Sequence, residues 1–137
     1  MPRVSRYFVR AALLHFLAGT SLGAWALMPL GTTSVLSAHR LLHAELLLIG
    51  WLLQLALGVA SWILPFSRGV SRDRRMWTGW ALLNGGLLTG LLGAWAALPA
   101  LATAGRLGEL AGCALTVAVL WPRTGGLDRL RSRRGSS

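Results

Sequence analysis

The chain is poor in charge, has no lysine, and carries one tyrosine and one cysteine among its 137 residues. Only 13% of its residues are charged and 54% are hydrophobic, whereas a soluble domain carries about 25% charge. That deficit, set beside long apolar runs, argues against an ordinary soluble domain and for an integral membrane protein. The lone Cys113 excludes an internal disulfide and a cysteine-rich metal site. It lies in an apolar run, where a small buried hydrophobe is the expected role. A CxxCH stretch is missing as well, which excludes a covalent c-type haem.

What is present is arginine. The formal net charge is +10, which invites a nucleic-acid reading, but nearly all the arginines flank hydrophobic runs and no folded basic module is visible. Nucleic acid is therefore not expected as a partner. The lipid bilayer is, with the charge serving orientation and headgroup contact.

The apolar runs predict an all-α bundle of four transmembrane helices in a single domain, over about residues 7–28, 38–64, 77–97 and 104–121. Each has roughly the 20 residues needed to cross a bilayer core. Pro29, Pro65, Pro99 and Pro122 punctuate them, residues 66–76 read as a polar loop, and residues 122–137 read as a polar, mobile tail. The first run competes with a signal peptide, since basic residues precede it and Ala24-Trp25-Ala26 loosely imitates a cleavage site; it is read as retained. The N-terminus, the 66–76 loop and the tail hold twelve arginines, against two, Arg40 and Arg106, on the other side. The positive-inside rule then places both termini in the cytoplasm and the protein in the inner membrane. Tyr7, Trp62, Trp77 and Trp121 fall at the inner edge of such a bundle, Trp25 and Trp95 at the outer.

Three glycine pairs, Gly19 and Gly23, Gly86 and Gly90, and Gly108 and Gly112, have GxxxG spacing, which lets helix backbones approach closely. The same spacing could leave room for a flat ligand or serve a homodimer.

Within residues 39–65, His39, His43 and Glu45 stand in the first two turns of an apolar run. Ionisable groups in hydrocarbon are costly and mark functional sites by default, and histidine there commonly binds a metal or a metal-bearing cofactor. Steps of three and four place His39, His43, Leu46, Gly50, Gln54 and Leu57 on one helix face. An imidazole beside a side-chain gap at Gly50 suits a macrocycle, and Arg40 and Arg106 suit its propionates, though both could simply snorkel to the interface. His39 and His43, four apart, cannot ligate one haem iron from opposite sides, but such a pair suits a bare metal ion. Glu45 lies off their face. His15 stands about 10 Å from the level of His43, so it is either a packing residue or a second ligand. Met28 is another candidate, and an open sixth position would admit a small ligand. Glu45 and Glu109, the acidic residues inside the apolar runs, pair with Arg40 or Arg106 or relay protons.

The stretch HAELLLIGW, with Gly58 and the closing WILP, resembles a helix of the catalytic subunits of haem-copper oxidases and nitric oxide reductases. The pattern histidine falls on His43, the glycine on Gly50 and the aromatic on Trp51, while Trp77 and the Asn84-Gly85-Gly86 run resemble the helix that follows. The resemblance covers a third to half of the chain and implies haem b with His43 as axial ligand to iron. Those subunits have many more helices and a larger histidine set. Here Glu45 replaces the second pattern histidine, so oxygen reduction and proton pumping are not implied. The expectation is a cytochrome b-like membrane protein that transfers electrons or binds a diatomic ligand, with a respiratory-chain redox partner and no catalytic residues assigned. The alternatives are a non-catalytic accessory or assembly subunit of a respiratory complex, and a copper-binding protein built on His39 and His43.

Overall fold

A computed structural model of the chain describes residues 3–27, 40–64 and 70–134, and these form an all-α arrangement of four helices. They are α1 (Arg3–Ala26), α2 (Arg40–Ile63), α3 (Val70–Trp95) and α4 (Pro99–Arg134). Two of them, over Arg40–Ile63 and Pro99–Pro122, are long and apolar enough to cross a membrane. In α1 the arginines at its start and the later His15, Thr20 and Ser21 dilute the apolar run; in α3 the Ser71-Arg72-Asp73-Arg74-Arg75 start does the same.

Two elements run further than the sequence suggests. The 66–76 stretch is helical from Val70, so most of the expected polar loop is the first two turns of α3. The polar tail is also helical, because α4 continues through Pro122 to Arg134. A proline removes one i→i−4 hydrogen bond and strains the turn before it, at a cost of about 3 kcal/mol; it bends a helix without ending it.

The chain folds as two antiparallel pairs. α1 packs along α2, and α3 along α4. The pairs meet at the end that holds the start of α1, where Val4, Phe8, Leu57, Met76, Leu83, Val119 and Leu120 form the buried core. Aromatic side chains seal it: Tyr7 meets Trp77 edge-on at 5.0 Å between ring centroids, and Trp80 lies 5.8 Å from Trp77. Ser5 Oγ donates to the Gly58 carbonyl at 2.7 Å, tying α1 to α2 inside this core. Midway along, Gln54 Nε2 donates to Asn84 Oδ1 at 3.0 Å and links the pairs.

Glycine sets the spacing of the α3–α4 pair. A Cβ on Gly86 would lie 2.5 Å from the Glu109 backbone nitrogen, one on Gly112 would lie 2.6 Å from that of Leu83, and one on Gly105 would strike the backbone of Gly90. The two backbones therefore touch directly, which small residues permit and any larger residue forbids. The three GxxxG pairs are all used inside the chain, since Gly19 and Gly23 receive Leu47 and His43 of α2.

The α3–α4 turn is a Schellman motif. Leu98 N–H bonds the Gly93 carbonyl at 2.8 Å and Ala97 N–H bonds that of Ala94 at 3.4 Å. Ala97 takes the left-handed conformation (φ 53°), and Pro99 opens α4 at the position where its missing N–H costs nothing. An alanine is strained there by about 1 kcal/mol relative to glycine. Ala97→Gly is expected to raise unfolding stability by up to about that amount, read as a rise in midpoint in a thermal melt; an unchanged or lower midpoint contradicts this turn geometry.

α2 is not uniformly α-helical. Residues Leu46–Leu53 form a π-helical stretch between α-helical ends. In an α-helix, residues four apart drift steadily round the axis, and the wider π turn drifts the other way. The mixture keeps Leu46, Gly50 and Gly58 in one stripe against α1 and leaves Leu41, Glu45 and Leu48 turned towards α4.

Candidate functional site

The seam between α1 and α2 alternates large and absent side chains. Phe8 packs on Gly58, His15 on Gly50, Leu47 on Gly19 and His43 on Gly23. A Cβ at Gly50 would lie 2.8 Å from both Cβ and Cγ of His15. The gap that the sequence reserves for a macrocycle is therefore filled by an imidazole of the same chain. His15 Nδ1 is buried there without a hydrogen-bond partner, as is Oε1 of the buried Gln54.

His43 is half-buried, and its ring lies over Gly23, where a Cβ would sit 2.5 Å from Cε1. Its Nδ1 is 2.7 Å from the Gly19 carbonyl oxygen. A carbonyl can only accept, so Nδ1 carries the proton and the lone pair of the neutral ring sits on Nε2. Metal-binding histidines are held in the same way, one nitrogen donating to a carbonyl and the other facing the metal. Gly50, which receives His15, lies two helical turns beyond His43 on α2, so the two imidazoles stand about 10 Å apart along the seam.

The remaining candidates are scattered. Arg40 is exposed at the first turn of α2. Arg106 is exposed on α4, and its Nε lies 3.8 Å from Glu45 Oε1. His39 and Met28 lie outside the described residues, so the His39–His43 pair is not described. Among the described residues no group of three or more His, Cys, Asp or Glu side chains is placed to hold a metal ion.

A second feature lies on the other side of α2. A groove of about 440 Å³ runs between α2 and α4, walled by Leu41, Leu48, Leu53, Leu110 and Cys113, with Glu45, Arg106 and Glu109 in it. Sequence reading names both carboxylates and offers Arg40 or Arg106 as a partner for each, and the structure sets Arg106 beside Glu45. Sequence reading misses that the carboxylates converge on one groove, because Glu45 and Glu109 belong to different helix pairs and only the fold brings them together. The signal it could have used is Gly90, bare at the level where the two meet: a Cβ there would lie 3.4 Å from Glu109 Oε1 and 3.8 Å from Glu45 Oε1.

The residues of both places can be set against what haem requires. Among the described residues the groove offers haem neither imidazole nor thioether, and its one soft donor is the Cys113 thiol. His43 offers one imidazole oriented by its bond to the Gly19 carbonyl, the kind of donor that would hold a haem iron. No family model matches the chain, and neither a curated protein nor a solved structure matches it.

Proposed function

We propose that the chain is a multi-pass inner-membrane protein, with both termini cytoplasmic, that binds haem b through His43 for electron transfer or diatomic ligand binding. The observation that carries this reading is the Nδ1–H···O=C bond from His43 to Gly19 at 2.7 Å. It fixes the tautomer that a ligand histidine needs and spends no other side chain on it. Gly23 lets the Nδ1–Cε1 edge of the ring come close to α1, so the seam holds the ring in one orientation. Haem, when bound, supplies one-electron redox chemistry or a site for a small gas; the chain supplies the oriented nitrogen and an apolar setting.

The membrane part of the reading rests on more than the two long apolar helices. Leu13, Leu14 and Leu17 of α1, Leu48 and Leu52 of α2, Leu88 and Leu92 of α3, and Leu107 and Leu110 of α4 are all exposed. Water would penalise that much apolar surface, and a bilayer would not. Arginine asymmetry sets the orientation, twelve on one side against two on the other.

A second reading is favoured by one specific contact. His15 fills the Gly50 gap and behaves as a packing side chain, which suits a non-catalytic subunit of a respiratory complex whose imidazoles are structural. Affinity purification from native membranes separates the two. A chain that holds b-type haem on its own supports the first reading; a colourless chain recovered in stoichiometric complex with a large oxidase supports the second. Copper binding through His39 and His43 predicts metal, and no haem, in the purified protein.

A further inference from the structure

The α2–α4 groove carries a charge imbalance that haem binding at His43 does not use. Two carboxylates, Glu45 and Glu109, share one guanidinium, Arg106. That guanidinium is exposed and sits 3.8 Å from Glu45, at the margin of ion-pair distance. Glu109 is only 4% exposed, and its Oε1 is buried and has no hydrogen-bond partner. Full ionisation would leave one uncompensated negative charge in an apolar groove. A buried charge without a partner is among the most costly features a fold can hold.

The groove also has the shape of a binding site. Its volume of about 440 Å³ lies in the range of small-molecule pockets, about 300–1,000 Å³. Leu41, Leu48 and Leu110 on its walls are each more than half exposed, so it opens sideways on the apolar surface of the bundle. We propose that this groove binds a lipophilic organic monocation, its positive centre held by Glu109 and its apolar body lying between α2 and α4.

Charge and ligand chemistry select this class over its rivals. A bare hard cation wants about six or more oxygen ligands, and beyond the two carboxylates and Arg106 the walls are hydrocarbon and one thiol. An anion would meet a groove whose lining cation, Arg106, already faces Glu45. An uncharged lipid would leave Glu109 as unpaired as before. Among the described residues, the charged and titratable groups that share the groove with Glu109 are Glu45 from α2 and Arg106 and Cys113 from its own helix, and Gly90 of α3 lies beside its Oε1. The site is therefore neutral either with one proton held on Glu109 or with one monocation bound, and the two compete.

Tetraphenylphosphonium is a suitable probe, applied to the purified full chain in detergent and followed by equilibrium dialysis. At pH 8.5 binding is expected to saturate at one site per chain and to weaken as pH falls. Glu109→Gln keeps the side-chain shape and removes the charge, and is expected to weaken binding by about tenfold or more, the loss of a partly desolvated ion pair. Leu110→Trp leaves Glu109 in place and fills the groove, and is expected to block binding while circular dichroism stays unchanged. His43→Ala is expected to bind the probe like the parent, so this result stands or falls apart from the haem reading. Equal binding by parent and Glu109→Gln, or equal uptake of the tetraphenylborate anion, would show partition into detergent or apolar surface and overturn the proposal.

Discussion

Gly86→Ala is expected to destabilise the bundle by about 3 kcal/mol, while the same change one residue earlier, Gly85→Ala, leaves it unchanged or raises its stability by up to about 1 kcal/mol. The two glycines share a helix and a sequence context. A Cβ at Gly85 meets nothing within 4 Å, whereas one at Gly86 lies 2.5 Å from the Glu109 nitrogen and 2.6 Å from the Gly105 carbonyl. Neither of those atoms is the end of a flexible side chain, so α3 and α4 must separate to admit a methyl group. Separation breaks the contact along Gly79, Gly86, Gly90, Gly105 and Gly112 together, which is why one methyl has so large an effect. At Gly85 the only change is the gain in helix propensity of alanine over glycine. Thermal melts of the two variants in detergent, read by circular dichroism, decide the matter. Equal midpoints would contradict the close backbone packing of α3 against α4.

His43→Gly is expected to abolish haem binding and, on addition of free imidazole, to recover part of it. In the folded chain Nδ1 is committed to Gly19, so Nε2 is the nitrogen available to iron. Removing the side chain opens a space over Gly23 shaped for an imidazole ring, and a free imidazole can enter it. Rescue of that kind distinguishes a ligand from a residue that only packs, because a packing role restores stability without restoring colour. Gly23→Ala sharpens the test. Its methyl would press on Cε1 of the ring, so it is expected to lower haem occupancy with His43 still present. Haem retained at full occupancy in His43→Gly would remove His43 from the site.

Much of the fold is legible in the sequence because it depends on local apolar periodicity. The four helices and the close-packing role of the glycines follow from runs of leucine and alanine and from spacings of three and four. The ends are less legible. Pro122 reads as a stop and the arginine-rich stretch after it as coil, yet a proline costs a helix one hydrogen bond and not its continuation. The π-helical stretch Leu46–Leu53 has no signature in LLLIGWLL; it shows only when α1 is laid against α2. The site is legible in part. His43 stands out by its place in an apolar helix, and its bond to Gly19 agrees with a ligand role without requiring one. The Gly50 gap is misleading, because a gap on one helix says nothing of which neighbour fills it, and here it is His15. Glu45 does lie off the His43 face, since two residues along a helix turn a side chain most of the way to the opposite side. What that turn points it towards, a groove shared with Glu109, is decided by contacts between residues far apart in the chain.

The most direct test of the central claim is the optical absorption of the full chain purified from haem-replete cells, recorded oxidised, reduced, and reduced under carbon monoxide. A Soret band with the reduced spectrum of b-type haem, at a stoichiometry that falls to background in His43→Gly, is the predicted result. A folded, colourless protein that takes up no added haemin would contradict it.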